Sequence, residues 1–216
     1  TITSDVAAQP AGKRLALLRS GLGHELRQLV AAGLERLLLH EDGLPLLVEA
    51  QPVGELTLDS LVPGSVHGEL DGGQVAWLRG QLATPAPYGT IVALHHPPLH
   101  VDWSPFMRND GLRDRELLAD AVAGTDVRAV LCGHFHLQVS GTMNGVPVWT
   151  TPGVVTRNDR TCPPDRIRGV LGAGATVVDL GGPFSPMFLT LHARDPRAGE
   201  QVYLVDAVSW DDVDED

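Results

Sequence analysis

Two short stretches hold side chains whose type and spacing suit a metal ion. In Leu131-Cys132-Gly133-His134-Phe135-His136 an apolar run breaks at a glycine and then presents two histidines one residue apart. In the second, residues 90–94 are apolar after the leading threonine and run directly into His95-His96-Pro97-Pro98. Neutral imidazole is a favoured ligand for Zn, Mn, Fe and Ni, and two rings on one short segment can serve adjacent positions of one site. Pro97 and Pro98 stop the preceding strand at once, so His95 and His96 stand at a stiff exit. Gly133 lets the backbone turn so that His134 and His136 face one cleft. For a single histidine a hydrogen bond to backbone is the simpler role. Four rings just beyond two apolar strands point instead to a shared site at the carboxyl ends of an α/β sheet.

The remaining candidates carry less. His67 and His100 fall in loops beside the same segments, where a local hydrogen bond is a simpler role than contact with a substrate. His24, His40 and His192 read as solvated or structural, and Cys132 and Cys162 lack the paired thiol spacing of a zinc site. No Gly-x-Ser-x-Gly elbow and no Gly-rich loop followed by lysine is present, which argues against a serine hydrolase and a P-loop nucleotide site. Asp59, Glu69 and Asp102 are scattered, and nothing in their spacing recommends a carboxylate pair.

The elements that must position the histidines follow from periodicity. Asp71 caps a predicted helix to about Leu82, with Val75, Leu78 and Leu82 on one face. Residues 90–94 form a strand of the kind buried on both faces. A polar loop with Trp103, Phe106 and Met107 then makes one wall of a pocket, a helix runs to about Val122, and residues 126–132 form the next strand. Asn144-Gly145 between two alternating segments predicts a hairpin over 139–143 and 146–151. Residues 152–174 read as a loop, followed by a final meander over 176–180, 187–192 and 201–205. Upstream, leucines at three- and four-residue spacing between Gly12 and Leu39 predict two helices, then strands over 44–50 and 55–58 joined by a turn. Alternation of strands and helices makes the fold an α/β layered sheet. The expected domain spans residues 1–210, with 1–43 a divergent helical region, and 211–216 an acidic tail.

Composition bounds the partners. A formal charge of -11 argues against a nucleic-acid polymer, because phosphate binding needs clustered Lys and Arg. A small anionic substrate remains compatible, since a bound dication reverses the local field. No apolar run reaches the roughly 20 residues of a membrane span. Two cysteines and no visible signal peptide make a reducing cytoplasm the expected location.

Several stretches together resemble one family. They are Leu58-Asp59-Ser60, Pro63-Gly64, His67-Gly68-Glu69-Leu70, Trp77-Leu78, Gly89 to Pro98, Asp126 to Leu131, Gly133-His134-x-His136 and Gly145-Val146-Pro147-Val148. Over about residues 55–155 the chain resembles the calcineurin-like metallophosphoesterases, and within them it looks most like the bacterial class III cyclic-nucleotide phosphodiesterases. The resemblance implies an α-β-β-α sheet sandwich and two divalent transition metals, Mn, Fe or Zn, sharing a bridging aspartate and a hydroxide. It implies that His95 and His134 bind one metal and His136 the other, while His96 lines the catalytic pocket. The implied activity is hydrolysis of a small phosphoester substrate, a phosphodiester and first of all a 3',5'-cyclic nucleotide. The family's Asp-x-His, Gly-Asp and Gly-Asn-His motifs have no counterpart upstream of residue 55; Asp5 stands in a segment similar to the first, with Ala7 in place of histidine. The N-terminal side of the sandwich is therefore expected to be divergent or missing, with one metal or none bound here. An exposed strand edge there would favour a homo-oligomer. The alternative is a non-catalytic remnant acting as a binding or interaction module.

Overall fold

The computed structural model describes residues 15–18, 46–48, 53–102 and 104–207. The elements in chain order are β1 (Leu15–Leu18), β2 (Leu46–Val48), β3 (Gly54–Thr57), α1 (Gly72–Leu82), β4 (Thr90–Ala93), α2 (Pro105–Asn109), α3 (Arg115–Val122), β5 (Val127–Cys132) and β6 (Val139–Met143). They continue with β7 (Val146–Thr150), β8 (Thr156–Asp159), β9 (Arg166–Leu171), β10 (Gly174–Asp179), β11 (Met187–His192) and β12 (Gln201–Asp206). Two compact units divide these elements. One gathers β1, β2 and most of β10 and β11 in a four-stranded sheet of order β11-β10-β1-β2. The other holds everything that positions the histidines.

In that larger unit a five-stranded sheet has the order β3-β4-β5-β7-β6. β3, β4, β5 and β7 run parallel and β6 closes the edge antiparallel to β7. All four residues of β4 are buried, so no in-out alternation is visible in its sequence. Val92 on β4 and Val130 and Cys132 on β5 join a core with Val75, Leu78 and Leu82 of α1 and Leu118, Ala121 and Val122 of α3. Each fully buried Leu or Val there contributes about 1.5–3 kcal/mol relative to exposure. Asp71 caps α1 as expected, its carboxylate accepting from the backbone N–H of Gln74 at 2.8 Å. Among the described residues no helix is long and apolar enough to cross a membrane.

The β6–β7 hairpin turns at Asn144 (φ 47°) and Gly145 (φ 84°), the two left-handed residues of a type I′ turn. The Asn144 side chain also donates to the carbonyl of Ala119 in α3 at 3.1 Å, tying the hairpin to the helix. Gly145→Ala places a Cβ in the left-handed region and is expected to lower the urea midpoint by the equivalent of about 1–2 kcal/mol, with the slope unchanged.

Four expectations are corrected. Residues 15–18, expected within a helix, form a strand paired with β10 on one side and β2 on the other. Leu-Ala-Leu-Leu suits either state, and the pairing decides it. Residues 104–110 are not all loop: Ser104 caps the short helix α2, with Pro105 at its first turn. The expected loop over 152–174 contains β8, all of β9 and the first residue of β10. On β8 the buried positions are Thr156 and Asn158, so its inward face is polar and gives no hydrophobic alternation. The final strands do not form one meander, because β12 pairs with β9 in a three-stranded sheet β12-β9-β8. The expected helices over the rest of 12–39, the turn at 51–52, Trp103, Asp5, His24, His40 and the acidic tail lie outside the described residues.

Candidate metal centre

β4 and β5 are parallel neighbours, so both release the chain at the same edge of the sheet. The pairing continues past their ends, with Leu94 N donating to Leu131 O at 3.1 Å and Gly133 N donating to His95 O at 3.0 Å. The two histidine motifs are thereby held side by side. Beyond Gly133 the backbone turns sharply: Phe135 N donates to Gly133 O at 2.8 Å, and both His134 (φ 66°) and His136 (φ 49°) are left-handed. Non-glycine residues in that region are strained, and such strain persists only where the surroundings enforce it. Phe135 is one enforcer. Its ring is fully buried against Val101 and Met107, which anchors the middle of the turn.

The result brings one donor nitrogen from each of His95, His96 and His134 within 4.8 Å of one another. His134 Nδ1 lies 3.2 Å from His95 Nε2, and the His96 and His134 ring centroids are 4.5 Å apart. The Nε2 atom of His134 is buried and has no hydrogen-bond partner. A buried polar atom left unpaired costs free energy, and a bound cation would satisfy it. His136 stands outside this trio, its Nδ1 2.9 Å from Thr156 Oγ1. Among the described residues, the trio contains no carboxylate.

The electrostatics suit neutral ligands. Burial, then the neighbouring His96, His95 and His136, push the His134 pKa down to about 3. Burial, then His95 and His67, lower His96 to about 4. His95 meets solvent along part of its surface, yet burial of the rest and then His136 lower it too, and burial lowers His136. All four are therefore uncharged near pH 7, the state in which imidazole binds a metal.

Ser60 fixes His96. Its buried hydroxyl accepts from His96 N–H at 3.2 Å and pairs with His96 Nδ1 at 2.8 Å. Gly68 makes room for the same ring, since a Cβ there would lie 2.4 Å from His96 Cγ. Gly68→Ala is expected to push the ring off its hydroxyl partner and cost about 1–3 kcal/mol, the range for overpacking, read as a lowered melting temperature. His67 is buried and pairs with the Ser65 hydroxyl and, at 3.2 Å, with Glu69 Oε1. His100 is exposed between Asp102 at 2.6 Å and the donating Arg115 guanidinium at 2.7 Å, a local hydrogen-bonded contact. Phe106 of α2 lies beside His134, ring centroids 6.3 Å apart. Ser60 and Phe135 fall within the stretches that carry the resemblance but are assigned no role by the sequence, and Thr156 and Asn158 are not singled out by it at all. Ser60, Thr156 and Asn158 act through partners distant in sequence, so their types and spacing do not reveal the role.

No family model matches the chain. It is 50% identical over 95 residues to a probable cyclic nucleotide phosphodiesterase of Rhodococcus erythropolis, covering 43% of this chain and 31% of that protein. It is 42% identical over 120 residues to a cAMP/cGMP dual specificity phosphodiesterase of Mycobacterium tuberculosis, covering 55% and 37%. To the 3',5'-cyclic adenosine monophosphate phosphodiesterase CpdA of Escherichia coli it is 34% identical over 108 residues, covering 50% and 39%. Among solved structures, a dimetal phosphatase from Danio rerio superposes over 57% of this chain and 38% of that one, with a TM-score of 0.35 and 18% identity. The resemblance to the calcineurin-like metallophosphoesterases is borne out. More narrowly, the chain is similar to bacterial cyclic-nucleotide phosphodiesterases, and it spans about a third of the length of the relatives it matches.

Proposed function

We propose that this chain carries the histidine side of a metal-dependent phosphodiesterase centre, with 3',5'-cyclic nucleotides as the first substrate class. The observation that carries the reading is the trio of imidazole donors within 4.8 Å, with the buried Nε2 of His134 unpaired. His95 and His134 would hold one divalent metal, Mn, Fe or Zn, and His136 would contribute to a second. A divalent metal there supplies stabilisation of the charge that develops on a phosphoryl group and a lowered pKa for water. The chain's own part is to present uncharged imidazoles, to fix the His96 ring through Ser60, and to anchor the histidine-bearing turn through the buried Phe135. The relatives are named for phosphodiester substrates, and the net charge of -11 disfavours long polyanions over a small phosphoester. Two buried cysteines without a disulfide fit a reducing cytoplasm.

The test is hydrolysis of bis(p-nitrophenyl) phosphate and of cyclic AMP by purified chain titrated with Mn²⁺, alongside its metal content. Turnover that depends on metal supports the proposal. A chain that binds no Mn²⁺, Fe²⁺ or Zn²⁺ and stays inert at every concentration would refute it. One observation favours a second reading, a non-catalytic binding module: the trio lacks a carboxylate among the described residues. That module would bind metal or a phosphoester ligand without turnover.

A further inference from the structure

The His134-Phe135-His136 turn is strained at both histidines, and besides the buried Phe135 ring it is restrained by hydrogen bonds from one strand about twenty residues further along. Asn158 on β8 takes two successive carbonyls of the turn: its backbone N–H donates to His136 O at 2.9 Å, and its Nδ2 donates to Phe135 O at 2.7 Å. Asn158 is buried, so these bonds are shielded from water. Two residues earlier on the same strand, Thr156 Oγ1 lies 2.9 Å from His136 Nδ1. Gly153 leaves space for the ring, since a Cβ there would sit 2.9 Å from His136 Cγ. The strap is braced from behind. Asn158 lies opposite Gly169 on β9, and Gly169 lies opposite Tyr203 on β12. A Cβ on Gly169 would fall 2.2 Å from Tyr203 Cζ, so the tyrosine ring lies across the glycine, and its hydroxyl donates to Asn158 Oδ1 at 3.4 Å.

We infer that Thr156 and Asn158, braced by Tyr203 across Gly169, are positioning residues that hold the left-handed His134–His136 turn and direct His136. Thr156 Oγ1 accepts a hydrogen bond from the proton carried on His136 Nδ1, which leaves the Nε2 lone pair free as a donor. Where an imidazole binds a metal, a partner on its other nitrogen commonly fixes tautomer and ring direction, and losing that partner weakens metal binding about 10–100-fold. The consequence for metal rests on the proposed function; the geometry of the strap does not.

The test separates the two. Long-range ¹H–¹⁵N spectra of the imidazole rings, recorded on the metal-free full chain, report the tautomer of His136. Wild type is expected to show a single Nδ1–H form, Thr156→Val a mixture or the Nε2–H form, and Thr156→Ser the wild-type pattern again. Asn158→Ala is expected to broaden the His134 and His136 ring signals, and Tyr203→Phe to do so more weakly. In a Mn²⁺ titration Thr156→Val should bind about 10–100-fold more weakly and Thr156→Ser within about twofold of wild type. A His136 tautomer in Thr156→Val identical to wild type would overturn the inference, whether or not Asn158→Ala folds. If wild type binds no Mn²⁺, the proposed function fails while the tautomer comparison still decides the strap.

Discussion

His134→Ala is expected to weaken Mn²⁺ binding by more than about 100-fold, beyond the 10–100-fold typical of losing a supporting residue, and to abolish any metal-dependent hydrolysis. The reason is geometric. His134 is central to the trio, with Nδ1 3.2 Å from His95 Nε2, and its other nitrogen is the one buried without a partner. A second substitution separates binding from folding. His134 has φ 66°, a conformation glycine adopts freely and alanine does not. His134→Gly should therefore leave the metal-free protein about 1–2 kcal/mol more stable than His134→Ala. Both should lose the metal-induced rise in melting temperature, which for wild type corresponds to about 2.7 kcal/mol at a hundredfold excess over Kd. An alanine variant that keeps the wild-type rise would show that His134 is not a ligand.

The second large effect is a loss of stability in acid. His96 and His134 titrate at about 4 and about 3 in the folded chain, against an ordinary value of 6.5. Because the folded values are depressed, the unfolded chain binds more protons between pH 6.5 and the folded pKa values. Stability from this source is fully present above pH 6.5 and drains away as pH falls toward 3. Each tenfold difference in proton affinity between the folded and unfolded chain is worth about 1.4 kcal/mol, so the cluster, titrating together, should account for a loss on the order of 3 kcal/mol between pH 7 and pH 4. Urea unfolding at stepped pH measures it. His134→Gly should flatten the slope between pH 6.5 and 4, and a variant as acid-sensitive as wild type would place the sensitivity elsewhere. Bound metal should move the whole curve to lower pH, because protons and metal compete for the same nitrogens.

The convergence of the two histidine motifs was legible because its causes are local. An apolar strand, a Pro-Pro stop after His95-His96 and a glycine before His134 each act within a few residues, and parallel pairing of β4 and β5 then sets the motifs side by side. The Asp71 cap and the Asn144-Gly145 turn were legible for the same reason. The shell around the histidines was not. Thr156 and Asn158 are polar residues facing inward on a strand with no hydrophobic alternation, and they meet the site only because β8 lies against a turn about twenty residues earlier. Tyr203 acts across Gly169, a relation that depends on the register of β9 and β12. Residues 15–18 show the same limit at the level of an element, since four apolar residues take the state their neighbours impose. Which histidines meet was also only partly visible. The motifs named four rings, and the structure draws His95, His96 and His134 into one group while His136 turns to Thr156.

The proposal is that these histidines would hold a divalent metal and thereby support hydrolysis of a phosphodiester. It is tested most directly by following 3',5'-cyclic AMP with purified chain and Mn²⁺, in wild type and in His134→Gly, which removes the donor and is expected to keep the left-handed turn, with folding checked by its urea midpoint. Conversion to AMP that rises with Mn²⁺ in wild type and is absent in His134→Gly is the predicted result. Equal rates in the two proteins, or no conversion by a wild-type chain shown to be loaded with metal, would contradict it.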